Sequence, residues 1–186
     1  MLPKLIIPIR HEDARGWFSE SYSRRTLATK GIDLEFVQDN HSFSGPRGTL
    51  RGIHLQRPPQ AQAKLVRCLA GAIWDVAVDL RSGSPTYGGW VAATLTAAGG
   101  EQFFIPAGFG HGFLTLSDNS EVGYKASAYY APDCDAGIAW DDPAVAIAWP
   151  LDGKSPVLSA KDQALPPLCD FTSGFAYDGA TMEPLD

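Results

Sequence analysis

Turn residues recur so often through the middle of this chain that the segments between them are strand-length. Ile73-Trp74-Asp75-Val76-Ala77-Val78-Asp79-Leu80 is rich in β-formers and is bounded by Gly71 and by Arg81-Ser82-Gly83-Ser84-Pro85. Leu34–Asn40, Thr49–Leu55, Lys64–Leu69, Trp90–Thr96, Gln102–Ile105, Gly112–Leu116, Val122–Tyr129 and Gly137–Trp140 read the same way. The 19 Gly and 14 Pro place turn signals at the spacing of an all-β antiparallel sandwich or barrel rather than of a βαβ fold. The best helix candidate, Ser23–Lys30, is short, and the Pro-rich stretch from Pro150 reads as turns and loops over the barrel, its last dozen residues without regular structure.

Length and composition narrow the function classes. The 186 residues read as a single domain, 1–186, large enough to enclose a sizeable core. No apolar run approaches the roughly 20 residues of a membrane span. Pro3, Pro8 and Arg10 interrupt the apolar opening, which argues against a signal peptide. Cys68, Cys134 and Cys169 are odd in number and widely spaced, so a reduced, cytoplasmic protein is expected. The net charge is −6 with no Lys/Arg block, which argues against a nucleic-acid partner and leaves room for a small anionic ligand.

Single residues leave their roles open. The four histidines, His11, His41, His54 and His111, contain no HxH pair, so a metal site is not expected. His54 reads either as a satisfied core histidine or as a general base held rigidly on a strand. Lys64 is either a strand-end lysine facing water or a cation for a developing oxyanion. Tyr124 is either a packing residue or a general acid. Arg15-Gly16-Trp17-Phe18-Ser19-Glu20 is either a surface ion pair beside aromatics or a site for phosphate and base. The turn Pro106–Phe113 carries a histidine but lacks the ending of a phosphate loop.

Taken in order, the segments are more specific than any one of them. They run Arg15–Glu20, then Phe36-Val37-Gln38-Asp39-Asn40-His41-Ser42, Leu50-Arg51-Gly52-Ile53-His54-Leu55-Gln56, Lys64–Arg67 and Asp75–Arg81 with Ser84-Pro85-Thr86. Pro106-Ala107-Gly108 with His111-Gly112-Phe113, Tyr124-Lys125, Tyr130-Ala131-Pro132 and Leu158-Ser159-Ala160-Lys161-Asp162 complete the series. This order closely resembles the dTDP-4-dehydrorhamnose 3,5-epimerase family, sugar epimerases of the cupin class. The resemblance implies a jelly-roll (cupin-like) β-barrel with short peripheral helices, working as a homodimer on a dTDP-linked sugar without metal or organic cofactor. It implies His54 as proton acceptor, Asp162 as its paired carboxylate, Tyr124 as proton donor and Lys64 near the keto oxygen. Arg15, Glu20, Gln38, Asn40, Arg51, His111, Asp135 and Lys161 fall at substrate-binding positions, with N-terminal residues reaching the neighbouring subunit's site. The chain has Asp135 where the family often has Glu, and Gly110 where alanine is usual.

The implied reaction is inversion of C3 and C5 in dTDP-4-dehydro-6-deoxy-D-glucose through an enolate. The alternatives are a single-centre epimerase or ketoisomerase in the same fold, or a silent sugar-binding barrel or metal-dependent oxygenase. Strict strand alternation sets Arg51 and His54 on opposite faces, so a shared pocket requires a bulge at Gly52 or another route for Arg51.

Overall fold

The computed structural model describes residues 1–185. Two five-stranded antiparallel sheets face each other. The first runs in the order β1 (Lys4–Ile6), β9 (Gln102–Ile105), β6 (Lys64–Ala70), β11 (Ser120–Ala126), β4 (Gln38–Ser44). The second runs β12 (Asp135–Gly137), β5 (Leu50–Gln56), β10 (Phe109–Thr115), β7 (Ala72–Asp79), β8 (Trp90–Thr96). A separate hairpin joins β2 (His11–Asp13) to β3 (Gly16–Phe18). The α-helices among the described residues are α1 (Arg24–Thr29) and α2 (Ala160–Gln163), both short and peripheral. This is the cupin-like jelly roll expected, and among the described residues no helix is long and apolar enough to cross a membrane.

Three apolar layers explain why several strands read as unbroken hydrophobic runs. Between the sheets, Val66, Cys68, Phe103, Ile105 and Val122 meet Ile73, Ala77, Val91, Leu95, Phe109 and Phe113. The far side of the second sheet, with Ile53, Leu55, Val76 and Val78, is covered by Ile138, Val145, Leu168 and Phe171 from the C-terminal half. Leu27 of α1 and Ile32 cover Leu65 and Phe104 on the far side of the first sheet. Strand β7 is therefore buried on both faces, and alternation disappears. Asp75 and Asp79 interrupt it, and both are 0% exposed. Asp79 accepts hydrogen bonds from Arg81, Ser84 and Thr86, while Asp75 pairs with His111.

Strand existence was legible, and strand ends less so. Trp90–Thr96 and Gln102–Ile105 fall where expected. The first central strand lies at Gln38–Ser44 rather than Leu34–Asn40, because Leu34 and Phe36 pack beside α1 instead of pairing. The last lies at Asp135–Gly137 rather than Gly137–Trp140. β1, β2 and β3, of three residues each, are too short to show a period. Helix α1 begins after Ser23, whose hydroxyl accepts from Thr26 N. Beyond Pro150 the chain is mostly irregular, with α2 as the exception that matters for the site.

Candidate active site

A cavity of about 310 Å³ is lined by residues of both sheets. His54, Lys64, Tyr124, Asp162, Arg51, His111, Asp135 and Lys161 all line it. They come from β5, β6, β10, β11, β12 and α2, so closing the two sheets and folding the C-terminal segment back are both needed to assemble it.

Gly52 resolves the alternation conflict. In the β5–β10 pairing, Arg51 faces Phe113 and His54 faces His111, leaving Gly52 and Ile53 opposite Gly112 alone. That extra residue turns Arg51 and His54 to the same side. Gly52 has φ of 124°, and a Cβ there would lie 2.5 Å from the Gly112 Cα, so only glycine fits. Arg51 is then held by Ser44 Oγ at 3.2 Å and the Phe43 carbonyl at 3.0 Å.

His54 Nε2 donates to Asp162 Oδ1 at 2.6 Å, while Nδ1 is buried and has no partner among the described residues. Ser159 caps α2 by accepting from Asp162 N at 3.1 Å and donates its hydroxyl to Asp162 Oδ2 at 2.6 Å. Gly52 N adds a third hydrogen bond to the same carboxylate at 3.3 Å. Burial pushes Asp162 up, but the bonds from His54 and Ser159 outweigh it and hold it below the usual carboxylate range. An ionised Asp162 fixes the proton on Nε2 and leaves the lone pair of His54 on Nδ1.

The other titratable groups are set by burial. Desolvation pulls Lys64 down to about 8, against the favourable fields of Asp75 and Asp135. It pushes Tyr124 up, so the phenol keeps its proton at neutral pH, despite the opposing field of Arg51. It holds His111 below the ordinary histidine range, opposed by Asp75, whose Oδ1 lies 2.6 Å from His111 Nε2. Asp135 accepts from Lys161 Nζ and, at 3.1 Å, from the Tyr130 hydroxyl. The shorter carboxylate is thus engaged with two pocket side chains.

Four expected site residues lie outside this cavity. Arg15 is exposed on the β2–β3 turn and pairs with Asp13 at 2.6 Å. Glu20 accepts from Thr26 Oγ1 beside α1 at 2.8 Å. Gln38 donates to Asn40 and accepts from the Tyr130 backbone, both at 2.9 Å, standing behind the lining. Asn40 borders the neighbouring groove, paired across the sheet with Tyr124. Conversely, Ser42, Gln56, Phe113, Tyr130 and Ser159 line the cavity without having been singled out. Gln56 and Phe113 stand two residues from His54 and His111, so strand alternation could have found them. Among the described residues no group of three or more His, Cys, Asp or Glu side chains is placed to hold a metal ion.

The family model described as dTDP-4-dehydrorhamnose 3,5-epimerase matches residues 3–170. The chain belongs to this family. It is 48% identical over 174 residues to the dTDP-4-dehydrorhamnose 3,5-epimerase of Sinorhizobium fredii, covering 94% of this chain and 89% of that protein. It superposes with TM-score 0.89 and 44% identity on the dTDP-6-deoxy-D-glucose-3,5-epimerase of Legionella pneumophila in complex with dTDP-4-keto-L-rhamnose, covering 95% of this chain and 94% of that one. It matches the dTDP-4-dehydrorhamnose 3,5-epimerase of Bacillus anthracis with TDP and pyrophosphate bound, at TM-score 0.86 and 47% identity over 89% of this chain and 93% of that one. It is an isomerase.

Proposed function

We propose that this chain inverts C3 and C5 of dTDP-4-dehydro-6-deoxy-D-glucose to give dTDP-4-dehydro-L-rhamnose. The observation that carries this reading is the convergence of the His54–Asp162 pair, Lys64 and Tyr124 on one cavity. Protons at C3 and C5 are α to the C4 ketone and therefore acidic. His54 Nδ1 takes one of them, and Asp162 stabilises the imidazolium that forms. The charge moves to the ketone oxygen as an enolate, where the Lys64 ammonium is worth most. Tyr124 returns a proton from the opposite face, and the centre inverts. His54 then releases its proton to water and the Tyr124 phenolate regains one, and repetition at the second carbon completes the reaction. Every step is a proton transfer, so the scheme calls for no redox cofactor and no metal.

Arg51 and Lys161 supply cations within the cavity for the diphosphate and sugar, with His111 and Asp135 as further contacts. Arg15 takes a different role in this reading. The β2–β3 hairpin exposes Trp17 (57%) and Phe18 (70%), and Ile7 and Ile9 before it are also exposed. Such apolar surface fits a homodimer in which Arg15 of the partner subunit completes the site. Gln38 and Asn40 complete the wall behind Tyr130 and Tyr124. Three unpaired cysteines suit a cytoplasmic setting, and residues 1–186 are read as one unit of function.

The test is NMR of the purified protein with the 4-keto-6-deoxyglucose nucleotide in D2O. Deuterium at both C3 and C5 is expected. Label at one carbon only would replace this reading with a single-centre epimerase, and no label would sink epimerisation altogether.

A further inference from the structure

Asp75 takes no part in the proton transfers above, yet it is fully buried behind the cavity wall. It projects from the inward face of β7 with Ile73 and Ala77, in the apolar layer between the sheets. Its Oδ1 faces His111 Nε2 at 2.6 Å, and its Oδ2 is buried with no hydrogen-bond partner among the described residues. A buried carboxylate with an idle oxygen is costly to keep. A neutral amide of the same size would satisfy the His111 bond equally well. The negative charge therefore has another use, and two side chains of the cavity stand to receive it. His111 is bonded to it directly, and Lys64 lies in its field.

We propose that Asp75 is a positioning residue that sorts the sugar's oxygens. By accepting the Nε2 proton of His111 it leaves the Nδ1 lone pair for the cavity, and by its charge it keeps Lys64 an ammonium. His111 then offers an acceptor and selects a hydroxyl donor, whereas Lys64 offers donors and selects a carbonyl oxygen. The cavity thus recognises a keto group and a hydroxyl as different oxygens, which a row of cations would not. This assignment of sugar oxygens rests on the proposed epimerase reading. Burial supports it, since desolvation favours neutral His111. The charged and titratable groups acting on Lys64 are Asp75 from β7, Asp135 from β12 and Lys161 from α2. Those acting on His111 are Asp75, Lys64 and His54.

The experiment is NMR of protein labelled at the lysine ε and imidazole nitrogen positions, comparing the unaltered chain with Asp75→Asn. In the unaltered chain at pH 7.5, His111 is expected to carry its proton on Nε2, with Nδ1 bare. In Asp75→Asn the Lys64 titration midpoint should fall by about one pH unit. The alkaline limb of kcat should move with it. Thermal melting with and without dTDP establishes that the variant is folded. A His111 proton on Nδ1 in the unaltered chain overturns the proposal whatever the variant does. So does an unmoved Lys64 midpoint in a folded variant. Absence of deuterium exchange by the unaltered enzyme would instead sink the epimerase reading and leave both titrations standing.

Discussion

His54 is distinguished from an ordinary interior histidine by asymmetry. One ring nitrogen is tied to an ionised carboxylate, and the other has no partner among the described residues. Removing that second nitrogen in His54→Ala should lower proton exchange about 10²–10⁴-fold while leaving dTDP binding nearly intact, as exchange kinetics and calorimetry would report. Wild-type-like exchange would remove the base assignment. Tyr124→Phe should slow product formation more than proton exchange, because abstraction does not use the phenol. Equal losses would leave it no separate role as an acid. In the proposed mechanism Lys64 sets the alkaline side of the pH profile. Its ammonium is the active form and is lost as pH rises through about 8, so kcat should fall above that value. A profile flat to pH 9.5 would contradict the oxyanion role. None of these assignments was available from single residues. By itself Lys64 read first as a solvated strand-end lysine, and burial in the folded chain is what desolvates it.

At the scale of elements, β5 and α2 make the dyad between them. Alternation along β5 would point Arg51 and His54 apart, and the bulge at Gly52 turns them together. Gly52→Ala should cost about 1–3 kcal/mol from the left-handed backbone alone. The 2.5 Å approach of its Cβ to Gly112 adds to that. At about 2–4 °C per kcal/mol for a chain of this size, a thermal melt should fall by several degrees. Activity should fall further than stability does, since Arg51 would turn out of the cavity. A variant with native melting and native kcat would show that the bulge is unnecessary. Helix α2 has only four residues and no periodicity to announce it. Ser159, three positions before Asp162, is the signature that survives in sequence, because a cap needs its hydroxyl at that spacing. The missed strands β1 to β3 are short for the same reason: three residues show no alternation.

The molecule as a whole is closed by a second buried charge cluster. The Arg81 guanidinium donates two hydrogen bonds to Asp79, at 2.9 and 2.8 Å, and reaches Asp178 of the C-terminal tail at 2.7 Å. Burial raises Asp79, but its bonds from Arg81, Ser84 and Thr86 carry it below the ordinary carboxylate value. A depressed native value means stability that is present above the unfolded value near 3.8 and lost as pH falls through the native one. Asp79→Asn should therefore cost about 3 kcal/mol at pH 7 and flatten the acid limb of stability, measured by urea melts from pH 7 to pH 3. An unchanged acid limb would mean the cluster contributes nothing. The proposed homodimer also belongs to this scale. If Arg15 serves the neighbouring site, mixing His54→Ala with Arg15→Ala subunits should restore activity that neither has alone, whereas no restoration would place Arg15 outside the site.

Sequence alone determined what depends on local chemistry and on chain order. Dense glycine and proline fixed an antiparallel β fold, since turns at that spacing leave room only for short strands. The ordered motifs from Arg15 to Asp162 pointed to the family and to the side chains around His54. Tertiary structure decided what depends on position in three dimensions. It separated Arg15, Glu20, Gln38 and Asn40 from the cavity. It brought Tyr130 and Ser159 to the lining and buried Asp75 behind His111. Residue types say which groups can hold a proton or a charge. Which of them face one space, and how far water is kept from them, is set by how two sheets close and where the C-terminal segment packs, and no local pattern encodes that.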